Sequence, residues 1–221
     1  MGDTRSSAVN SSLTLVSLTL RAFLPLLAAA VLGVGAIRTL AHDSVDLRGL
    51  LRCETGAETC LMGIVPGETS ADAVIAHLHQ HAWVDQFQRR RGMDMDSGLI
   101  LWTWSGAQPA AINPQVDGRL WYENSLVRYV EIPLQIGIGE FWLALGAPET
   151  GRLVRTSGGA DGYVSAGFLQ TRVLAVASVD CPLAARIFWR QRGVLRVQDE
   201  RSAAVSRRDG AFQPPVWGEC I

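Results

Sequence analysis

Three histidines at alternate positions, His77, His79 and His81, are the residues best suited to metal chemistry. Imidazole is a common metal ligand, and His77 and His81 can share one ion if they lie one turn apart on a helix. His79 would then lie about 200° around the helix from His77, so the three cannot bind one ion together. The alternative is a polar flank at a helix C-terminus, where imidazolium suits the helix dipole. Because the glutamate of an HExxH motif is missing, we favour the polar flank and predict no bound metal and no cofactor.

The four cysteines predict disulfide bonds. They are Cys53, Cys60, Cys181 and Cys220. Their spacing lacks the CxxC pair typical of redox sites, and the alternative, a four-thiolate zinc site, usually shows two such short pairs. We predict the pairs Cys53–Cys60 and Cys181–Cys220, which fit an oxidising compartment. The rival connectivity, Cys53–Cys220 with Cys60–Cys181, stays open because four cysteines allow three pairings.

Two tryptophans are candidates for an interaction surface. Trp102 and Trp104 point to the same side of an expected strand, where they could stack on a sugar or a peptide. The alternative, which we favour, is that they fill the space between sheet and helix. The run Arg89–Arg91 could likewise touch anionic lipid, but three charges in a loop are more often solvated.

Familiar catalytic and nucleotide-binding motifs are missing from the sequence. Gly137 and Gly139 begin a dinucleotide-binding pattern, but Trp142 stands where the third glycine belongs. The chain has no lysine, no P-loop and no GxSxG motif. A net charge of −1 gives no basic footprint for nucleic acid. These observations favour a protein that is not an enzyme and does not bind nucleic acid.

Two amphipathic helices are expected to carry the apolar core. The first starts after Thr69 and ends near His81–Trp83, and its apolar face consists of Ala71, Val74, Ile75, Leu78 and Ala82. The second ends at Gly146 and has the same spacing, with Ile138, Phe141, Trp142 and Leu145. A shift of 67 residues superposes the two patterns. This indicates either a repeat with halves 53–133 and 134–221, or simply two helices of the same type.

The remaining apolar segments predict antiparallel strands. They are Leu99–Trp104, Arg119–Tyr122, Leu126–Ile132, Tyr163–Leu169, Arg172–Ser178 and Val194–Val197. Pro133 is expected to end the third of these strands, and Pro182 to begin a short helix that runs to Arg192. The polar segment from Arg89 to Gly98 predicts a solvated loop.

An apolar segment near the N-terminus indicates the compartment. Ala22–Ile37 is uncharged, and extending it to 17–41 gives the length of a membrane-spanning helix. We predict a transmembrane anchor there, with a cleaved signal peptide and a buried helix as the alternatives. Arginines follow the segment as well as precede it, so the positive-inside rule does not favour a cytoplasmic N-terminus.

The predicted organisation has four parts: a tail at 1–16, the transmembrane anchor or signal segment at 17–41, a linker at 42–52 and an extracytoplasmic domain at 53–221. The predicted fold class is α+β, in which an N-terminal transmembrane helix precedes short helices packed on an antiparallel sheet. A composition of 48% hydrophobic and 19% charged residues indicates a folded chain rather than a disordered one. We expect single-pass membrane localisation, with the membrane contacted through the N-terminal helix and the C-terminal domain outside the cytoplasm.

Two groups of proteins share landmarks with this chain. Cys53-x6-Cys60, then Gly-Ile-x-Pro-Gly-x-Thr at 63–69, then His81-x-Trp83-Val84 resembles the opening of uncharacterised bacterial exported or membrane-anchored proteins. Leu143-x-Leu145-Gly146-x-Pro148 resembles their second landmark. A Gly-x-Thr helix that ends in Leu-Gly-x-Pro is also loosely similar to SmpA/OmlA-type outer-membrane lipoproteins. That similarity implies two helices against a short antiparallel sheet, and function by protein contact without catalysis.

Two classes of function remain open. The first, which we favour because the catalytic motifs are missing, is a membrane-anchored extracytoplasmic module that binds a protein or another envelope component without catalysis. The second is an extracytoplasmic metal-binding protein or hydrolase that uses His77 and His81. The sequence predicts neither the ligand nor the oligomeric state.

Overall fold

The chain forms two units, Met1–Val45 and Asp46–Ile221. The computed structural model describes residues 46–53, 59–92, 94, 96–155, 161–180 and 188–207, together with three single positions nearer the N-terminus. Those three positions, Pro25, Leu27 and Leu32, are helical and exposed and belong to the first unit. All other described residues belong to the second unit.

Eight strands form one sheet in the second unit. They are β1 Val84–Arg91, β2 Gly98–Trp104, β3 Gly118–Glu123, β4 Leu126–Gly137, β5 Thr150–Arg155, β6 Asp161–Phe168, β7 Val173–Asp180 and β8 Arg192–Gln198. Their order across the sheet is β1-β2-β3-β4-β8-β7-β6-β5, and every neighbouring pair is antiparallel. β1 and β5 are therefore the edge strands, and β4 and β8 lie at the centre.

Four short helices lie wholly within the described residues. They are α1 Leu47–Leu50, α2 Ala71–Leu78, α3 Ile138–Leu145 and α4 Glu200–Arg207. α2 begins after Ser70, whose side chain accepts a hydrogen bond from the Ala73 N–H at 3.2 Å. α3 ends at Gly146, where a φ of 91° favours glycine.

A helix followed by four strands occurs twice along the chain. α2 precedes β1–β4, and α3 precedes β5–β8. The two series meet where β4 pairs with β8, with Val130 opposite Val197. A common origin of the two halves by duplication stays a prediction.

One face of the sheet packs against α2 and α3 and forms the core. Alternate strand residues are buried there, among them Ile100, Trp102, Leu120, Tyr122, Val130, Ile132, Val164, Ala177, Leu195 and Val197. α3 lies over β6 and β7, because its Ile138 packs in one cluster with Val164 and Ala177. α2 lies on the same face, because Arg89 of β1 donates hydrogen bonds both to Asp72 of α2 and to the Tyr122 hydroxyl.

The predicted fold class, α+β with an N-terminal transmembrane helix, is wrong. The described chain is mostly one eight-stranded antiparallel sheet, and the four helices that lie wholly within the described residues are each eight residues long or shorter. Among the residues that the structure describes, no helix has the length and apolar character needed to cross a membrane. The anchor expected at 17–41 lies outside the described residues, apart from positions 25, 27 and 32.

Edge strands explain why the sequence underestimates the strand content. Arg89, Arg90 and Arg91, expected in a solvated loop, belong to β1, whose side chains are all half-exposed or exposed. An edge strand meets solvent and needs no alternating apolar pattern, and charged side chains there also oppose unwanted pairing with other chains. β5, at the other edge, has no predicted counterpart either.

Several predicted boundaries also differ. α2 ends at Leu78 rather than near His81–Trp83. β4 runs past Pro133, because its pairing with β8 is irregular between Pro133 and Gly137, so that a missing N–H is tolerated there. The predicted linker contains α1, and α4 was not predicted. Residues 182–187 of the helix expected from Pro182 to Arg192 lie outside the described residues, and Arg192 begins β8.

Candidate binding surfaces

A hydrogen bond from His77 fixes the turn at Met62 against the end of α2. Its Nε2 lies 2.7 Å from the Met62 carbonyl oxygen, so this nitrogen carries the proton and donates it. Met62 has a φ of 54° in a tight turn closed by Leu61 and Ile64. The hydrogen bond leaves His77 a single nitrogen lone pair, on Nδ1.

His81 follows the helix instead of continuing it, yet its ring lies 5.2 Å from that of His77. Its Nδ1 accepts a hydrogen bond from the Trp83 N–H at 3.2 Å, so the neutral ring carries its proton on Nε2. Burial, and then the neighbouring His77, lower the pKa of His81 below 6.5. His79 packs its ring edge-on against Phe87, with 4.6 Å between ring centroids.

The histidines are therefore better placed to form local hydrogen bonds and ring contacts than to bind a metal ion. Within the described ranges, no three His, Cys, Asp or Glu side chains are grouped as a metal site requires. The two imidazoles that come together use Nε2 of His77 and Nδ1 of His81 in hydrogen bonds to the backbone. An ion between them would have to compete with at least one of these bonds.

Cys53 and Cys60 form a disulfide, with Cα atoms 5.5 Å apart. Cys60 is fully buried, so the bond fastens the segment after α1 to the core. Cys181 and Cys220 lie outside the described residues, so their pairing stays a prediction.

Trp102 and Trp104 lie in the core. Both are buried on the helix-covered face, with their rings edge to face at 5.8 Å between centroids. The Trp104 indole N–H donates to the Val116 carbonyl oxygen at 2.8 Å. Neither ring is therefore available as an exposed platform, and both lie where the favoured interpretation, packing between sheet and helix, places them.

The opposite face of the sheet carries a different set of large side chains. We call it the distal face, because it is turned away from α2 and α3. Its alternate strand residues include Leu99, Leu101, Trp121, Tyr129, Tyr163, Val176 and Val194, and all of these are half-buried. The distal face is thus rich in aromatic and aliphatic groups that remain partly open to solvent.

A charged cluster occupies the centre of the distal face. Glu131 of β4 lies opposite Arg119 of β3 and Arg196 of β8 in the strand register. Arg196 donates from Nε and Nη2 to Glu131 Oε2 at 2.9 and 2.8 Å, and Arg119 donates from Nε and Nη2 to Oε1, the first at 2.7 Å. The Glu131 side chain is only 3% exposed, whereas that of Arg119 is 49% exposed.

The contacts with Glu131 favour the charged form of Arg119. Burial alone would lower the pKa of Arg119, but the hydrogen bonds and charge of Glu131 outweigh it and raise the pKa. The Arg196 guanidinium stacks over the Tyr129 ring at 4.4 Å from its centroid. Burial raises the pKa of the Tyr129 phenol, which therefore stays neutral at physiological pH. Two guanidinium groups face one carboxylate, so the cluster has a surplus positive charge.

Sequence reasoning missed this cluster. Glu131 stands directly between the apolar residues Val130 and Ile132 in a predicted strand, and that position was the available signal. A carboxylate inside an apolar strand needs cationic partners. The partners lie 12 and 65 residues away in sequence, on two other strands, so only the strand register identifies them.

No protein-family model, curated protein or solved structure matches this chain.

Proposed function

We propose that this chain is a non-enzymatic, extracytoplasmic binding module that docks a partner protein on its distal face. The observation that carries the proposal is the half-exposed aromatic and aliphatic surface around the Arg119–Glu131–Arg196 cluster. The partner expected from this chemistry brings an apolar surface and a carboxylate that reaches Arg119.

The composition of the distal face supports docking. An antiparallel sheet that leaves one face to water normally places polar side chains there. Here the corresponding positions include Trp121, Tyr129 and Tyr163, and contiguous partly exposed apolar surface is typical of interaction sites. Tyrosine, tryptophan and arginine are also the residues most enriched where interface energy concentrates.

The charge of the cluster supports an acidic contact. The Arg119 side chain is half exposed, although its partner Glu131 is buried, and its Nη1 takes no part in the two hydrogen bonds to Glu131. Beside it lies a cavity of about 430 Å³, whose walls include Leu101, Pro133 and Val194. A carboxylate of the partner could enter here and share Arg119, with apolar side chains packing around it.

The disulfide supports an extracytoplasmic location. Cys53 and Cys60 are bonded, and such bonds persist in oxidising environments outside the cytoplasm.

Site-specific photocrosslinking in the cells that make the protein tests the proposal. Trp121 and Tyr163 are replaced, one at a time, by p-benzoylphenylalanine, and adducts are identified by mass spectrometry. Trp83 is the matched control, since it is also a half-buried aromatic residue but packs against His81 instead of lying on the distal face. We expect one shared partner to be crosslinked from Trp121 and Tyr163 but not from Trp83.

The identified partner is then purified, and its affinity for the intact chain is measured by calorimetry. Arg119→Gln is expected to weaken binding about tenfold, since a charge-assisted hydrogen bond is lost. Arg91→Gln, at an exposed arginine of the edge strand, leaves the affinity unchanged. Equal crosslinking from Trp83, no adduct from either position on the distal face, or an adduct with a second copy of this chain would each contradict the proposal.

A further inference from the structure

A groove beside α3 collects exposed apolar side chains. It has a volume of about 740 Å³, and its walls include Trp142, Leu143 and Trp189. Leu143 is 89% exposed and Trp189 42% exposed, whereas most large apolar side chains of the described chain are buried. Exposed groups of this size, gathered in one depression, indicate a site of contact.

The backbone holds Trp189 in place. The Trp189 carbonyl oxygen accepts a hydrogen bond from the Gly139 N–H at 3.2 Å, and the Ile138 N–H donates to the Gln191 carbonyl oxygen at 3.1 Å. A Cβ at Gly137 would lie 2.5 Å from the Trp189 carbonyl oxygen, so glycine is needed for this close approach. The exposed indole therefore sits on a segment tied to the start of α3, and ordering it for a ligand costs little entropy.

The two indoles make one apolar wall. The rings of Trp142 and Trp189 are tilted by 59°, with 5.1 Å between their centroids. On its other side Trp189 meets the buried ring of Phe188 edge-on at 4.9 Å. Trp189 remains 42% exposed despite these contacts and lines the groove together with Leu143.

The groove has a positive rim. Arg190 and Arg192 line it and are exposed, and neither forms an ion pair with any residue that the structure describes. The acidic residue at the groove, Glu140, accepts a hydrogen bond from the Gly137 N–H at 2.8 Å at the start of α3. The Glu140 carboxylate is therefore bound at the N-terminus of α3, and the guanidinium groups of Arg190 and Arg192 can bind an anion.

We propose that this groove binds an amphipathic anion, whose apolar body packs on Trp142, Leu143 and Trp189 and whose anionic group pairs with Arg190 and Arg192. A volume of about 740 Å³ lies within the range of small-molecule sites. The same chemistry is offered by a free fatty-acid-like molecule and by an anionic lipid in a bilayer. The inference is independent of the protein docking proposed for the distal face.

Two probes distinguish the sources. Laurate, kept below its micellar concentration, is titrated into the full chain and followed by calorimetry and tryptophan fluorescence. Dodecyltrimethylammonium, with the same chain length and opposite charge, is the matched ligand control. Flotation with phosphatidylglycerol vesicles, against phosphatidylcholine vesicles, tests the bilayer source. We expect saturable laurate binding at one site and at least about tenfold weaker binding of the cation.

Variants of surface residues test whether the ligand binds in the groove. Arg190→Gln with Arg192→Gln is expected to weaken laurate binding about tenfold or more, and Leu143→Ser to weaken it severalfold. Leu143 is so exposed that its replacement leaves the core intact, so a loss of binding is not a folding defect. Arg90→Gln with Arg91→Gln, a pair of exposed arginines on β1, is the control and retains full binding.

Each outcome decides the inference. Laurate binding that depends on these residues assigns a free ligand, and phosphatidylglycerol binding with the same dependence, without laurate binding, assigns a lipid surface. Binding of neither probe, equal binding of the cationic amphiphile, or binding that survives both Arg190→Gln with Arg192→Gln and Leu143→Ser overturns it.

Discussion

Arg128 and Asp199, 71 residues apart in the chain, form an ion pair with 2.8 Å between Nη1 and Oδ2. Their side chains are only 13% and 6% exposed. Asp199 also accepts a hydrogen bond from the Ser202 N–H at 2.8 Å, at the start of α4. One carboxylate therefore joins the central strand β4 to the beginning of the last described helix.

Asp199→Asn is expected to lower the free energy of unfolding by roughly 1.5 to 3 kcal/mol at neutral pH, since a buried charge-assisted hydrogen bond is lost. Asp72→Asn is the matched control. Asp72 also pairs with an arginine, Arg89, but its side chain is 87% exposed, so the cost should be at most about 0.5 kcal/mol. Urea denaturation of both variants measures the difference, and equal costs would contradict the structural role given to Asp199.

Acid should remove the contribution of Asp199. Burial alone would raise the pKa of this carboxyl, but the hydrogen bonds from Ser202 and Arg128 outweigh it and lower the pKa below 3.8. A depressed pKa stabilises the fold above the unfolded value, and that stabilisation is lost as the pH falls through the folded value. The stability gap between wild type and Asp199→Asn is therefore constant near neutrality and narrows below pH 3.8. Denaturation curves at several pH values follow it, and a gap that widens in acid would disprove this assignment.

Glu131→Gln is expected to destabilise the sheet by about 3 kcal/mol, the lower end for breaking a buried ion pair. Arg119 and Arg196 are partly exposed, so water can compensate some of the loss. In double-mutant cycles, Arg196 should couple to Glu131 more strongly than Arg119 does, because it is less exposed and also stacks on Tyr129. Chemical denaturation of the single and double variants measures both couplings, and a larger value for Arg119 would refute this ranking.

Gly118→Ala is expected to destabilise the core by about 1 to 3 kcal/mol through overpacking. A Cβ at Gly118 overlaps Cε2, Cζ2 and Nε1 of the Trp102 indole. The Trp102 indole N–H finds no hydrogen-bond partner among the described atoms, so Trp102→Leu sacrifices no such bond, and it removes the ring atoms that the Cβ meets. Trp102→Leu should therefore partly rescue Gly118→Ala, with a favourable coupling in a double-mutant cycle. Purely additive costs would show that the two residues do not conflict.

Mild acid should loosen the segment after α2. The pKa of His81 is lowered below 6.5 by burial and then by His77, so the unfolded chain takes up a proton more readily than the folded one. Stability attributable to His81 is thus present above pH 6.5 and is lost as the pH falls through the folded value. Protonation also converts Nδ1, which accepts from the Trp83 N–H, into a donor. Replacing His81 by Asn should flatten the pH dependence of unfolding in this window, whereas His79→Asn, at an exposed histidine, should leave it intact.

Patterning predicts the elements in which one face is buried. The apolar spacing of Ala71, Val74 and Leu78 corresponds to the buried face of α2, and Ile138 with Phe141 to that of α3. β1 could not be found this way, because an edge strand with three arginines has no buried face to leave a periodic signal. The prediction ended β4 at Pro133, whereas the strand continues, because an irregularity in its pairing with the distant strand β8 tolerates the proline.

The candidate surfaces were less predictable than the elements. The aromatic pair Trp102 and Trp104 drew attention because its spacing is visible within one strand, but burial depends on which face the helices cover. The turn before β8 brings Trp189 and Arg192 to the start of α3, more than 40 residues earlier in the chain. Distances along the sequence therefore give no indication of the groove. Side chains that come together through the pairing of distant strands can be identified only when the strand register is known.

The central pairing of β4 with β8 also has a consequence for folding. β1 to β4 each pair with a neighbour in the chain, so these four strands can form a sheet without the second half. Until β8 pairs with it, β4 is the open border of that four-stranded sheet, because Val130 lies opposite Val197. An unpaired β4 exposes the backbone of a largely buried, apolar strand, and it is therefore the edge at which incompletely folded chains would aggregate.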